Sequence, residues 1–130
     1  MEFIKIALIA TAVFFAIDII WLSIIAKKFY RQELKDNLSE KVNWVAAILF
    51  YIIFILGLSF FVIEPAVTKL SIEYTIFAGA FFGLVCYATY DLTNLATFKN
   101  WSLKLTIVDL IWGSVLSAMV SAITYYLFLL

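Results

Sequence analysis

An all-α integral membrane bundle of four transmembrane helices is the fold this sequence predicts, and three observations predict it. Hydrophobic residues make up 66% of the 130 and mean hydropathy is +1.10, whereas a soluble domain averages roughly 45–50% apolar. Four apolar stretches reach the roughly 20 residues that a helix needs to cross a bilayer. The breaks between them carry charge, proline or asparagine, and no stretch shows the alternation of a membrane barrel strand.

The first stretch covers 3–26. Ala10-Thr11-Ala12 offers the small residues of a cleavage site, but the apolar run continues to Ala26, so a retained helix is expected rather than a signal peptide. The charged segment 27–41 follows. Its run Phe29-Tyr30-Arg31-Gln32-Glu33-Leu34 reads either as a short amphipathic helix on the inner surface or as a solvated loop. The second stretch covers 42–63 and is expected to end at Glu64-Pro65, because proline lacks an N–H and crowds the carbonyl four residues back. The third covers 72–96. Lys99-Asn100-Trp101 separates it from the fourth, 103–128. Residues 1–130 thus read as a single membrane domain.

Orientation follows from Lys and Arg. The first loop holds Lys27, Lys28, Arg31, Lys35 and Lys41, and the third holds Lys99 and Lys104. Only Lys5 and Lys69 lie at the other ends. The positive-inside rule therefore places the first and third loops in the cytoplasm and both termini outside. Trp44 and Trp101 then fall at the inner boundary, with Tyr74, Tyr125 and Tyr126 near the outer one. Net charge is zero and no basic patch exists, so nucleic acid is not an expected partner. Membrane lipids are. Cys86 is the only cysteine and there is no histidine, which excludes an internal disulfide and a cysteine-rich metal site. Cys86 itself reads as a small core residue.

Three aspartates interrupt the apolar stretches: Asp18, Asp91 and Asp109. A carboxylate in hydrocarbon costs several kcal/mol, so an intramembrane acid is a functional candidate by default. With the orientation above, all three lie in the cytoplasmic half, at depths of roughly 8–12 Å at 1.5 Å per residue. Tyr87, Asp91, Asn94 and Leu95 share one face of the third helix at i−4, i+3 and i+4. Thr106 stands one turn before Asp109. The spacing Asp18-Ile-Ile-Trp21 recurs as Asp109-Leu-Ile-Trp112, which puts each Trp on the face of its acid and suggests aromatic walls around one pocket. Gly79 and Gly83 form a GxxxG, and Gly113, Ser117 and Ser121 continue the stripe that starts at Asp109. Such stripes let membrane helices approach closely.

Three acids with no basic residue in their apolar surroundings cannot all be ionised cheaply at close range. A proton or a cation must sit among them. This leaves a proton-coupled site, a metal site and a pocket for an organic cation. Trp21 and Trp112 favour the last, because indole faces attract ammonium groups. Mg²⁺ held by carboxylates and Asn94 is the metal alternative. The plain structural reading is that the acids hydrogen-bond Asn, Thr or Tyr across helices and hold the bundle, or a pair of bundles, together. Nucleophilic catalysis has little support, since neither a serine nor Cys86 has a base at hand.

The run Tyr90-Asp91-Leu92-Thr93-Asn94-Leu95-Ala96-Thr97, followed by Lys99 and Trp101, resembles a family of small four-helix bacterial membrane proteins known only as a domain of unknown function. Asp18-xx-Trp21-Leu22 and Asp109-xx-Trp112-Gly113 match it too. The resemblance implies a bacterial cytoplasmic membrane and the four-helix fold, and it brings no activity or cofactor. The expected function is therefore drawn from the residues. It is binding or transport of a small cationic or amphiphilic molecule at Asp18, Asp91, Asp109, Asn94, Trp21, Trp112, Tyr87 and Thr106, in a pocket facing the cytoplasm. A membrane-embedded enzyme acting on a lipid or lipid-linked substrate is the alternative, as is an accessory subunit of a membrane complex. A second copy of the chain is a further candidate partner.

Overall fold

The computed structural model describes residues 2–34 and 43–130. Among them there is no strand, and four helical rods are long and apolar enough to cross a membrane: Glu2–Ile24, Trp44–Lys69, Ile72–Thr97 and Leu103–Leu129. The first rod is α1 (Glu2–Ile20), which widens into a π-helical segment at Trp21–Ala26 and passes into α2 (Lys27–Leu34). The second is α3 (Trp44–Leu58), a π-helical segment Ser59–Ile63, and α4 (Glu64–Lys69). The third and fourth are α5 (Ile72–Thr97) and α6 (Leu103–Leu129).

Polar residues start the helices. The side chains of Asn43, Ser71 and Ser102 accept from the backbone N–H groups of Ala46, Tyr74 and Leu105 at 3.2, 3.1 and 3.0 Å, meeting donors that a helix leaves open at its first turn. Between α4 and α5 the chain reverses through Leu70, whose φ of 53° is left-handed. The Ser71 N–H returns to the Ala66 carbonyl at 3.2 Å.

The second rod does not stop at Ile63 as expected from Pro65. It runs on to Lys69. Pro65 occupies the first turn of α4, where its missing N–H is least costly. The π-helical segment before it shifts the hydrogen-bond register, with the Glu64 N–H reaching back to Ser59 O. The Phe61 carbonyl, four residues before the proline, accepts instead from the Tyr74 hydroxyl at 3.1 Å. The segment after the first span is helical from Lys27 to Leu34, and it is folded onto the start of α6 through Tyr30, Glu33 and Phe29. Lys35, Lys41 and Val42, which carried part of the loop assignment and the start of the second stretch, lie outside the described residues.

α6 is the central element. It packs most extensively on α5 and next on α1. In lipid there is no hydrophobic drive between helices, so close backbone approach and dispersion hold them. The α5–α6 seam achieves this with small residues. A Cβ built on Gly83 would fall on the Gly113 carbonyl and the Ser117 hydroxyl. One built on Gly79 would stand 2.9 Å from Ser121 Oγ. Ser117 and Ser121 are fully buried and make no ordinary hydrogen bond; their oxygens face glycine Cα–H groups, a weak but recurrent helix-packing contact.

The second rod meets the other three at its π-helical segment, where Ser59, Val62 and Ile63 are buried. Below that point α3 diverges. Phe14, Tyr51 and Phe54 wedge between α1 and α3, with Phe14 5.4 Å from Tyr51 and 5.7 Å from Phe54. The divergence leaves an apolar groove of about 390 Å³ between α1 and α3.

The seam makes an unequal demand on two glycines. Gly83→Ala should destabilise the protein by about 1–3 kcal/mol or more, because the added methyl meets backbone. Gly57→Ala meets only the far end of the Phe82 ring, at 2.9 Å, and should stay within about 0.5 kcal/mol. Unfolding in mixed micelles containing a denaturing detergent measures both. Equal losses would contradict this account of the seam.

Candidate functional site

The α5–α6 register carries the acids together. Gly79 meets Ser121, Gly83 meets Ser117, and the Tyr87 ring lies over Gly113, where an added Cβ would overlap it. Each step moves four residues along both antiparallel helices. The next step pairs Asp91 with Asp109, whose carboxyls face each other. Asp91 is 0% exposed, and neither of its oxygens makes a hydrogen bond of ordinary geometry. The Trp101 indole N–H lies on the Asp91 side and is likewise unpaired.

Asp109 is better served. The Tyr30 hydroxyl donates to its Oδ1, and Trp21 Nε1–H donates to Tyr30 Oη at 3.4 Å. The indole, the phenol and the carboxylate thus form a short relay from α1 through α2 to α6. Ser102 donates to Glu33, and Lys104 Nζ stands 5.7 Å from the centre of the Phe29 ring. These contacts press α2 against the N-terminal turn of α6. Burial raises the Tyr30 phenol well above its ordinary range, and the neighbouring Asp109 adds to the effect, so Tyr30 remains a donor at physiological pH.

Asp18 is buried on α1 with the Tyr51 hydroxyl as its neighbour. Tyr87 stands between it and Asp109, within range of both charges. The three acids therefore form a row rather than one cluster: Tyr51 and Asp18, then Tyr87, then Asp109 with Asp91. Among the described residues there is no group of three or more His, Cys, Asp or Glu side chains that could hold a metal ion.

Other candidates take different positions. Trp21 and Trp112 stack on each other, with centroids 4.1 Å apart and planes 10° apart. They do not form opposite walls, because the space a cation would need is closed by the rings themselves. With Val108, Ile111 and Val115 they line a small apolar cavity of about 200 Å³. Thr106 is buried, but its hydroxyl is spent on the Ser102 carbonyl at 2.9 Å, as threonines in membrane helices often do. Asn94 is half-buried and neighbours Tyr90, one turn away on the same helix. None of the three acids lines either apolar cavity.

Sequence reasoning missed Tyr30, Tyr51 and Trp101. Tyr51 had a usable signal, since it carries the only hydroxyl within α3. The position of Trp101 at the helix end predicts an interfacial anchor, whereas the ring packs edge-on against Tyr90 at 5.8 Å. Tyr30 had no local signal, because its partner lies 79 residues along the chain.

Tyr30→Phe should remove the hydroxyl that joins Trp21 to Asp109. About 1–3 kcal/mol of the docking of α2 should be lost, read as faster amide hydrogen exchange across Lys27–Leu34. A free phenol ionises near pH 10, and the docked one ionises higher. The docked state therefore keeps a proton that the detached state releases. The stabilisation is complete below about pH 10 and falls as pH rises further. Tyr30→Phe should flatten that alkaline loss; an unchanged slope would separate Tyr30 from Asp109.

Comparison with curated proteins and with solved structures finds no relative. A family model does match. It covers residues 3–126 and so takes in the whole acid row and every helix that builds it. The chain belongs to the family described as predicted membrane protein DUF2177, a family of unknown function.

Proposed function

We propose that the protein binds, and carries across the membrane, a small cationic or amphiphilic molecule in exchange for protons at Asp91, Asp109 and Asp18. The observation that carries the reading is Asp91. An acid that only fastened the bundle would have donors around it, as buried polar groups nearly always do. Asp91 is fully buried, makes no ordinary hydrogen bond and faces another carboxyl. Such a pair is complete only with a proton shared between the oxygens or a cation drawn to them. Both states cost less than two bare charges in hydrocarbon, so the pair suits a site where proton and cation compete.

The proposed setting is a bacterial cytoplasmic membrane with both termini outside, which places the acid row in the inner half. The basic bias of the first and third loops supports it. In a chain carrying Cys86→Ala, Leu130→Cys should react with an impermeant maleimide added to intact cells, and Lys28→Cys should not. The reverse pattern would invert the topology and leave the three acids in one leaflet.

Tetraphenylphosphonium is a usable probe of the site. In lipid nanodiscs, with empty nanodiscs subtracted, it should bind and release protons into a weakly buffered medium. Asp91→Asn keeps shape and removes a titrating group. It should weaken binding by about tenfold, or 1.4 kcal/mol, and abolish the proton release while the helices and the melting point persist. No binding, or binding and proton release unaltered by both Asp91→Asn and Asp109→Asn, overturns the reading.

A further inference from the structure

The groove between α1 and α3 lies at one end of the acid row. Along α1 its wall is Ile4, Leu8 and Phe15, and along α3 it is Ile48 and Ile52. Thr11 also lines it, but its hydroxyl is bound to the Ala7 carbonyl at 2.7 Å. Tyr51 lines the groove as well, and its hydroxyl is the neighbour of Asp18. From Ile4 to Phe15 the wall runs about 17 Å at 1.5 Å per residue, and Asp18 stands one turn farther along the same helix. The groove is therefore a long apolar slot that ends at the Tyr51 ring, and the buried Asp18 carboxyl lies just outside its lining, next to the Tyr51 hydroxyl.

Resting on the cation-binding reading above, we infer that the ligand is a single-chain alkylammonium amphiphile, with its chain in the α1–α3 groove and its ammonium at Asp18 beside the Tyr51 ring. The complementarity is specific in both parts. The groove's volume of about 390 Å³ falls in the range of small-molecule sites and suits one chain. An uncharged lipid would leave Asp18 without a counter-charge. A short cation would leave the slot to bilayer chains. The ring of Tyr51 adds an electron-rich face for a quaternary or primary ammonium. The chain lies toward the N-terminal end of α1, and the head points toward Tyr87 and the Asp91–Asp109 pair, where the proposed exchange with protons takes place.

The test compares three probes on the full chain in nanodiscs: dodecyltrimethylammonium, tetramethylammonium for the head alone and dodecanol for the chain alone. The long-chain ammonium should bind at least about tenfold more tightly than either fragment. Leu8 and Ile52 are 66% and 49% exposed, so Leu8→Trp and Ile52→Trp fill the groove from opposite walls without touching the core. Each should lower long-chain affinity about tenfold and leave tetramethylammonium binding unchanged. Asp18→Asn should weaken both ammonium probes and leave dodecanol unaffected. A dodecyltrimethylammonium bearing a diazirine at the far end of its chain needs no substitution, and it should label Phe3, Ile4 or Leu56. Dodecanol binding as tightly as the ammonium, or label spread over the lipid-facing helices, would make the groove an ordinary lipid contact and overturn the inference. So would long-chain affinity unmoved by both Trp variants, or ammonium binding unmoved by Asp18→Asn. In each of those cases the proton release governed by Asp91 would still decide the exchange reading by itself.

Discussion

The antiparallel register of α5 on α6 is the constraint on which the rest depends. In a bilayer, apolar helices gain little by leaving lipid for each other, so their contact must come from close approach. Gly79 and Gly83 on one helix and Gly113, Ser117 and Ser121 on the other provide it. Once Gly83 is set against Gly113 and Ser117, the register has no freedom. Four residues on, the Tyr87 ring lies on the surface of Gly113. Four more, and two carboxyls meet. The acid pair is thus held by a seam whose tightest contacts lie two turns away, and any sliding of the helices would separate Asp91 from Asp109 and unseat Tyr87 together.

The first and second rods answer to this seam in different ways. α1 lies on α6 and brings Asp18 and Trp21 to the level of Asp109 and Trp112, as the stacked indoles record. The second rod is gripped mainly at Ser59–Ile63, where a small residue and a widened helical turn allow contact with three neighbours. π-helical segments often occur at functional sites. Here the widened turn has a structural consequence, because it fixes the rod at one end and lets α3 diverge at the other over Phe14, Tyr51 and Phe54. The groove follows from that divergence. A rod packed along its whole length would have closed it and buried Tyr51 away from lipid.

Most of this fold was legible in the sequence because its signals are local. Spanning length, the polar caps and the small-residue stripes each occupy one stretch of chain. The second rod runs past the end that Pro65 predicts, because the widened turn before the proline and the Tyr74 hydroxyl on the next helix accommodate it. The acids and their shared depth were equally visible. The pairing of Asp91 with Asp109 is half legible, since the sequence shows both small-residue stripes but not the register in which they meet. The partners of the acids were not visible. Tyr30 reaches Asp109 only because a π-helical segment re-aims the chain after Ile20 and α2 folds back on α6. The two tryptophans share a spacing with their acids, and that spacing could not distinguish two walls facing a space from two rings facing each other.

The distribution of donors along the acid row gives it a direction. Asp18 has the Tyr51 hydroxyl, and Asp109 has Tyr30 with Trp21 behind it. Asp91, the most deeply buried of the three, has only the facing carboxyl and an unengaged indole N–H. A donor favours the charged form of an acid, and its absence favours a bound proton or cation. The row therefore passes from an end that meets the lipid-facing groove to an end closed by α2 and Trp101. From Asp18 the row passes Tyr87 and Asp109 and ends at Asp91, the acid that makes no ordinary hydrogen bond. What closes the far end is a single short helix held by a phenol, a serine and one aromatic contact with Lys104. It is the least extensive packing around the site, and hydrogen bonds of this kind open locally at lower cost than a Gly-packed seam. α2 packs on α6 far less extensively than α5 does, so the α5–α6 register that builds the pair does not rest on it.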